Sequence, residues 1–325
     1  MIYLTETDIL EAATIEEMLD AIEASLCIYE KKEFHMPQRL HVDREDNVLL
    51  LMPCFAKDYF GTKVITLFPD NPAKNIPVLN GIMVLNDAQT GVPVALLNGP
   101  TLTAVRTAAV GAVSIRHLAP DDAHAMGIIG AGVQGFYQAR AACSARHITD
   151  VFIYDIYPEK ASALKDKLLT AIPDVNIHQT ARVEDLLEHT QVVITATTSM
   201  EPVLPDEEEL LKGRHFVGIG SYKPDVREFP HALFCLLETV YIDTEHAMEE
   251  SGDIIVPLRN GWLRRDQIMT LGRFLIDNEL ERQETTFFKS VGMALFDVCA
   301  SILIYEKATA KGLGRSRHAV ADLDG

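Results

Sequence analysis

Apolar residues recur at helical spacing at Ile15, Met18, Leu19, Ile22, Leu26 and Tyr29, behind the capping box Thr14-Ile15-Glu16-Glu17. This predicts a helix ending near Lys32. Short apolar runs follow at Val48 to Met52, Thr62 to Phe68, Gly81 to Asn86 and Pro93 to Asn98. The last two are joined by the turn residues Asp87-Ala88-Gln89-Thr90-Gly91, so the first third reads as an α+β domain with a hairpin. Helical spacing returns from Thr101 to about Leu118. Beyond it, strands predicted at Ala125 to Ile129, Val151 to Tyr154, Val175 to His178, Val192 to Thr195, Phe216 to Ile219 and Val240 to Ile242 are separated by helical or mixed segments. That alternation is what a doubly wound parallel sheet requires. Past Thr285 the apolar positions Val291, Ala294, Leu295, Val298 and Ile302 predict a long helix to about Lys311 that leaves the alternation and returns to the first domain. The expected class is α/β: a Rossmann doubly wound domain at 119–289, and a discontinuous α+β domain for substrate binding and dimerisation at 1–118 and 290–325.

The turn after the first strand of the alternating region carries chemistry. Gly130-Ala131-Gly132-Val133-Gln134-Gly135 stands between the apolar run Ala125 to Ile129 and a predicted helix. In isolation a G-x-G-x-x-G is as readily a plain glycine turn. Here a strand, a glycine turn and a helix N-terminus aim backbone N–H groups and the positive end of the helix dipole at a pyrophosphate, with Gly132 allowing close approach. The next strand ends in Asp155, 20 residues after Gly135, where a carboxylate would accept hydrogen bonds from the adenosine ribose hydroxyls. Asp155 is followed by Ile156 and Tyr157, without an arginine to hold a 2′-phosphate. NAD(H) is therefore the expected cofactor, with NADP(H) as the second choice.

Charge and composition narrow the partners. A net charge of -18 over 325 residues repels nucleic acid and anionic membrane surfaces, and no basic run offsets it. Cys27, Cys54, Cys143, Cys235 and Cys299 are scattered, odd in number and free of C-x-x-C spacing, as reduced packing thiols would be. The 11 histidines include no H-E-x-x-H, so no metal site is expected. With neither a signal-peptide pattern at the N-terminus nor a long apolar span, the expected compartment is the cytoplasm.

Basic residues in the first domain are harder to explain as ordinary surface. Lys63 opens the apolar run Val64-Ile65-Thr66-Leu67-Phe68. It reads either as an exposed strand end or as a partly desolvated ammonium of lowered pKa that can bind a carboxylate or move a proton. Arg106 lies in a helix of small apolar residues, Leu102 to Ala109, and Arg39 follows Met36-Pro37-Gln38. Two guanidinium groups could clamp a substrate carboxylate and leave its α-carbon free to face a nicotinamide.

Taken together, Met36 to Arg39, Gly61-Thr62-Lys63, Thr103 to Ala109, Gly130 to Gly135, Gly220-Ser221-Tyr222-Lys223-Pro224-Asp225 and Phe288 to Gly292 resemble the ornithine cyclodeaminase/mu-crystallin family over nearly the whole chain. The resemblance implies a homodimer formed through the N-terminal domain, with the active site in an interdomain cleft. It implies substrate contacts from Lys63, Arg39 and Arg106, ribose binding by Asp155, and a cofactor lining that includes Val133, Gln134, the turn Thr195-Ala196-Thr197 and Ser290. Members of the family include ornithine and lysine cyclodeaminases, archaeal-type alanine dehydrogenases, cyclic-imine reductases and hormone-binding crystallins. Cyclodeaminases carry a catalytic aspartate in a Gly-x-Asp-x-Pro segment where this chain has Tyr222, and a glutamate where it has Leu50. A distal substrate ammonium would be left without an anionic partner, which is costly when buried. The expected function is thus NAD(P)H-dependent reduction of a small α-imino acid, of the pyrroline-2-carboxylate or alanine-dehydrogenase type, with Lys63 catalytic and Tyr222 lining the pocket. Ornithine cyclodeamination and a non-catalytic, mu-crystallin-like binding role are the alternatives.

Overall fold

The computed structural model describes residues 1–221, 223–277 and 283–316. The first elements along the chain are β1 (Ile2–Leu4), α1 (Glu6–Ala12), α2 (Ile15–Lys31), β2 (Phe34–His35), β3 (Leu40–Arg44), β4 (Asn47–Ala56), β5 (Tyr59–Leu67), β6 (Leu79–Asp87), β7 (Pro93–Asn98) and α3 (Gly99–Leu118). Next come β8 (Ala125–Ile129), α4 (Val133–Ala145), β9 (Asp150–Tyr154), α5 (Pro158–Ala171), β10 (Asn176–Gln179), α6 (Val183–Leu187), β11 (Val192–Thr195), α7 (Glu208–Leu211), β12 (His215–Gly218) and α8 (His231–Cys235). The chain continues through β13 (Val240–Ile242), α9 (Ala247–Glu250), α10 (Gly252–Asn260), β14 (Ile268–Thr270), α11 (Leu271–Asp277), β15 (Thr286–Lys289), α12 (Ala294–Lys311) and β16 (Arg315–Ser316).

Two compact units divide the chain. The first comprises Met1–Arg106 with the described residues from Met293 onward, and the second is Thr107–Gly292. The first unit is built on a sheet of order β16-β1-β7-β6-β5-β4-β2, with β3 also paired to β4. Strands β4 to β7 form an antiparallel meander. Alternation sets its two faces. Met52, Cys54 and Ala56 of β4 and Gly61, Lys63 and Ile65 of β5 are buried, and α12 packs over these strands and against α2. Of the apolar positions read on α2, Met18, Leu19, Ile22, Leu26 and Tyr29 are buried and Ile15, in the first turn, is half-buried, and the Thr14 box caps the helix. From Ala294 to Ser301 every residue of α12 is buried, so this helix has no polar face there to offer water. The opposite face of the sheet is apolar too. Leu40, Leu51, Val64 and Ile82 stand directly opposite one another across β3 to β6, and Leu40 and Ile82 are exposed.

The second unit is an α/β layered fold on an eight-stranded parallel sheet of order β10-β9-β8-β11-β12-β15-β13-β14. The strand sequence runs outward from β8 in both directions, so a topological switch point lies between β8 and β11. All six strands predicted for this region are present, within a residue or two at their ends. The reading past Thr285 needs correction. Thr286–Lys289 is not the start of a helix but a fully buried strand inserted between β12 and β13, and the helix begins at Ala294. Two adjacent phenylalanines and a lysine lack the alternation that marks a half-exposed strand, because β15 is covered on both faces. Strand β14 was also unread, being three residues at the sheet edge.

Candidate functional site

In the second unit, the glycine turn sits at the C-terminal end of β8, beside the switch point. Gly130 and Gly135 answer separate geometric demands. Gly130 has φ of 105°, and a Cβ built on it would lie 2.6 Å from the Ala196 carbonyl oxygen, so the turn can pack against the β11 loop only without a side chain. A Cβ on Gly135 would collide with the Gly130 oxygen and press on Ile128, so this glycine lets α4 approach β8. Around Gly132, by contrast, a Cβ would meet nothing within 4 Å. Gly132 is the N-cap of α4 and supplies no side-chain acceptor, so the N–H groups of the first turn keep their capacity for an anion. Val133 beside it is 68% exposed, and Gln134 Oε1 is buried without a hydrogen-bond partner. An open cradle of N–H groups at a helix N-terminus fits a dinucleotide pyrophosphate.

Asp155 closes the same corner. Its carboxylate accepts from the Ala131 N–H at 2.8 Å and from the Tyr157 N–H at 2.9 Å, which fixes the acid at the end of β9 next to the glycine turn. Thr195, Ala196 and Thr197 leave β11 directly opposite, with Ala196 N–H donating to Ile129 O at 2.9 Å. Ser290 is not part of this cluster, since β12 separates its strand from β11. Its hydroxyl donates instead to Asp243 Oδ2 at 2.7 Å, which also accepts from the N–H groups of Val291 and Gly292.

Three buried groups that hold this edge together were not read from the sequence. Glu228 accepts at one oxygen from Thr197 N–H and Oγ1, at 2.9 and 2.8 Å. Its other oxygen takes Thr195 Oγ1, Gly220 N–H and Ser221 N–H, at 3.0, 2.8 and 3.2 Å. One carboxylate thus ties the loops after β11 and β12. Asp253 accepts in turn from the Glu228 and Phe229 N–H groups and lies 3.3 Å from the ammonium of Lys289. Burial pushes the Asp253 carboxyl above its ordinary range, and Lys289 pulls it partly back. The available signal was an acid inside an apolar context, Glu228-Phe229, and a lysine after two phenylalanines, but neither has a spacing that names a partner.

The first unit brings together Lys63 and Arg106 around a residue that had gone unnoticed, Asp297 in the first turn of α12. Asp297 Oδ1 accepts from Lys63 Nζ at 2.8 Å and from Arg106 Nε at 2.9 Å, and Lys63 Nζ is also 2.8 Å from Oδ2. Lys63 is 2% exposed, Arg106 6% and Asp297 0%. Of the two readings of Lys63, the strand end is wrong and the desolvated ammonium is right. Its pKa falls to about 8, chiefly through burial, with Asp297 opposing the fall and Arg106 and Arg39 adding to it. Arg39 is half-buried in the segment before β3, and its charge reaches Lys63. Arg106 engages Asp297 through Nε, and no hydrogen bond among the described residues takes up its two Nη groups. Leu50 lies on the same face as Lys63, since it stands two residues before Met52, the residue paired with Lys63. Tyr222 lies outside the described residues.

A glycine cradle at the switch point of a parallel sheet, with a terminal acid one strand away, defines a Rossmann-type dinucleotide-binding protein. Its first unit carries a buried cationic cluster suited to a carboxylate. The chain belongs to the ornithine cyclodeaminase/mu-crystallin family, whose model matches residues 1–312. It is 35% identical to a Delta(1)-pyrroline-2-carboxylate reductase of Bacillus cereus over 277 residues, covering 83% of this chain and 84% of that protein. Among solved structures, it is similar to the Delta(1)-pyrroline-2-carboxylate reductase of Thermococcus litoralis in complex with NADH and L-proline. That match has a TM-score of 0.91 and 30% identity, over 98% of this chain and 100% of the other. An archaeal alanine dehydrogenase dimer with bound NAD matches with a TM-score of 0.87 and 25% identity, over 97% and 98% of the two chains.

Proposed function

We propose that this chain is an NADH-dependent reductase of small α-imino acids, and that its substrate is a cyclic imine of the pyrroline-2-carboxylate type, reduced to the cyclic amino acid. The observation that carries this reading is the Lys63–Arg106–Asp297 cluster. It offers an unengaged guanidinium fork for a carboxylate, a buried ammonium titrating near neutrality, and the aliphatic Leu50 on the same face. The names of the relatives above point to the same substrate class.

Bound NADH supplies the hydride. The Nη groups of Arg106, with Arg39, would hold the substrate carboxylate in bidentate fashion. Lys63 would hydrogen-bond the carboxylate or the imine nitrogen and favour the protonated imine, whose carbon accepts hydride more readily. As the C–H bond forms, the π electron pair of the protonated C=N bond moves to nitrogen, which keeps its proton and its bond to carbon and becomes the neutral secondary amine. In the second unit the first turn of α4 would receive the pyrophosphate and Asp155 the adenosine ribose. Val133, Gln134, Thr195 to Thr197 and Ser290 would line the cofactor. The Asp155 carboxylate would repel a 2′-phosphate, and that favours NADH over NADPH.

The same reading takes residues 1–118 and 290–325 as the substrate and dimerisation domain, and residues 119–289 as the cofactor domain. The apolar row Leu40, Leu51, Val64 and Ile82 supports a homodimer, as does the dimeric alanine dehydrogenase among the relatives. Five free cysteines suit a reducing compartment, and we assign the protein to the cytoplasm. No helix among the described residues is long and apolar enough to cross a membrane.

Ornithine is the substrate that separates this reading from its closest rival. Supplied with ornithine and catalytic NAD, the protein should release ammonia and proline at less than a hundredth of its rate of imine reduction. Efficient, stoichiometric release of both would make it a cyclodeaminase instead.

A further inference from the structure

The first unit holds a carboxylate, Asp297, to which the reading above gives no role in the reaction. Asp297 is fully buried, and its neighbours Ala294, Leu295, Phe296, Val298, Cys299 and Ala300 are buried with it. Its hydrogen-bond partners are Lys63 and Arg106. It does not cap its helix, whose N-cap is Met293. Packing alone gives little reason for a charged triad at this place, since an apolar substitute of similar volume is often neutral or stabilising for a buried ion pair. We propose that Asp297 is a positioning residue for imine reduction, acting through Lys63: its carboxylate holds the lysine in the ammonium form and fixes its head beside Arg106. The proposal rests on the imine-reductase reading of the same site.

The charges explain why such a residue is needed. Lys63 is desolvated, and the nearest other charges, Arg106 and Arg39, are cations that disfavour a third. Every listener to the lysine except Asp297 therefore pushes it toward the neutral amine. The thiols of Cys54 on β4 and Cys299 on α12 also face this corner but carry no charge, because burial raises them to about 12 and about 11. A neutral amine would accept a proton where the reaction needs a donor. Asp297 lies in the first turn of α12, where the helix dipole favours its own ionised form. With Lys63 and Arg106 charged, the triad keeps one net positive charge for a monocarboxylate. The contact of Asp297 with Arg106 runs through Nε, so the fork stays uncommitted.

The test is Asp297→Asn, which preserves size while removing charge, assayed with pyrroline-2-carboxylate and NADH across pH. We expect kcat/KM to fall on the order of 100-fold, and the basic limb of its pH profile to move down by about one unit or more. NADH binding, followed by fluorescence, should change less than about twofold, because Asp297 belongs to the other unit of the chain. A folded variant with the wild-type limb would overturn the proposal. If the single variant does not fold, Lys63→Met and Lys63→Met/Asp297→Asn answer the question, since the second removes both members of the pair. Once Lys63 is gone, the added substitution should cost less than about threefold, and a further loss of about tenfold would overturn an action through Lys63. A wild-type protein inactive on the imine sinks the function itself, whereas an active wild type with an unshifted variant sinks the role of Asp297 alone.

Discussion

At the scale of single residues, Asp155 and Lys63 make the clearest commitments. Asp155 accepts two backbone N–H groups and Ile156 next to it is 72% exposed, so an arginine can be introduced there without disturbing a core. Asp155→Ser with Ile156→Arg should shift the preference from NADH toward NADPH by about tenfold or more, the equivalent of about 1.4 kcal/mol. The ratio of kcat/KM values for the two cofactors is the readout, and a wild-type preference for NADPH would refute the role given to Asp155. Lys63→Met keeps the aliphatic stem and removes the ammonium. Turnover should fall by about 100-fold or more, the range of a positioned acid or base, while NADH fluorescence titration stays near wild type. Unchanged kinetics would reduce Lys63 to a structural counter-ion of Asp297.

At the scale of elements, the loops after β11 and β12 are held by one acid rather than by their own sequence. Five donors converge on Glu228, three at one oxygen and two at the other. Glu228→Gln places an NH2 group against donors it cannot accept from, and buried groups left in that state cost about 1–3 kcal/mol. The melting temperature should drop by several degrees and the Kd for NADH should rise, because the Thr195–Thr197 loop packs against Gly130. A variant with wild-type melting and NADH affinity would show that the loops hold themselves. The glycine turn and its acid were legible because each carries a local rule: a positive φ, a close approach, a strand end. Glu228, Asp253 and Asp297 were not, because their partners stand far away in sequence and no periodicity announces a buried charge. Strand β15 escaped for a related reason, since a run buried on both faces shows neither alternation nor helical spacing.

At the scale of the whole molecule, strand positions and the α2 and α12 stripes came from periodicity and the β6–β7 hairpin from its turn residues, while strand order and the other pairings came only with the structure. The short strands β1, β2 and β16 carry too few residues for any period to register. Folding also leaves an acid-sensitive group in the second unit. His215 is buried between Ser114 Oγ, at 3.0 Å, and Thr286 Oγ1, at 2.8 Å. Burial first, and the charge of Arg146 second, lower its pKa from 6.5 to about 3. The unfolded chain therefore binds the proton that the folded chain refuses, so His215 withdraws stability as pH falls from 6.5 toward 3, by about 1.4 kcal/mol per unit. His215→Asn should flatten the decline of melting temperature over that window, and parallel curves for variant and wild type would contradict the assignment.

The proposed activity is NADH-dependent reduction of a cyclic α-imino acid. The measurement that tests it most directly follows NADH oxidation by the purified protein with pyrroline-2-carboxylate and quantifies the L-proline formed. One proline should form per NADH consumed, with saturation in both substrates. Tight NADH binding without any consumption, on this imine or on its six-membered homologue, would contradict it.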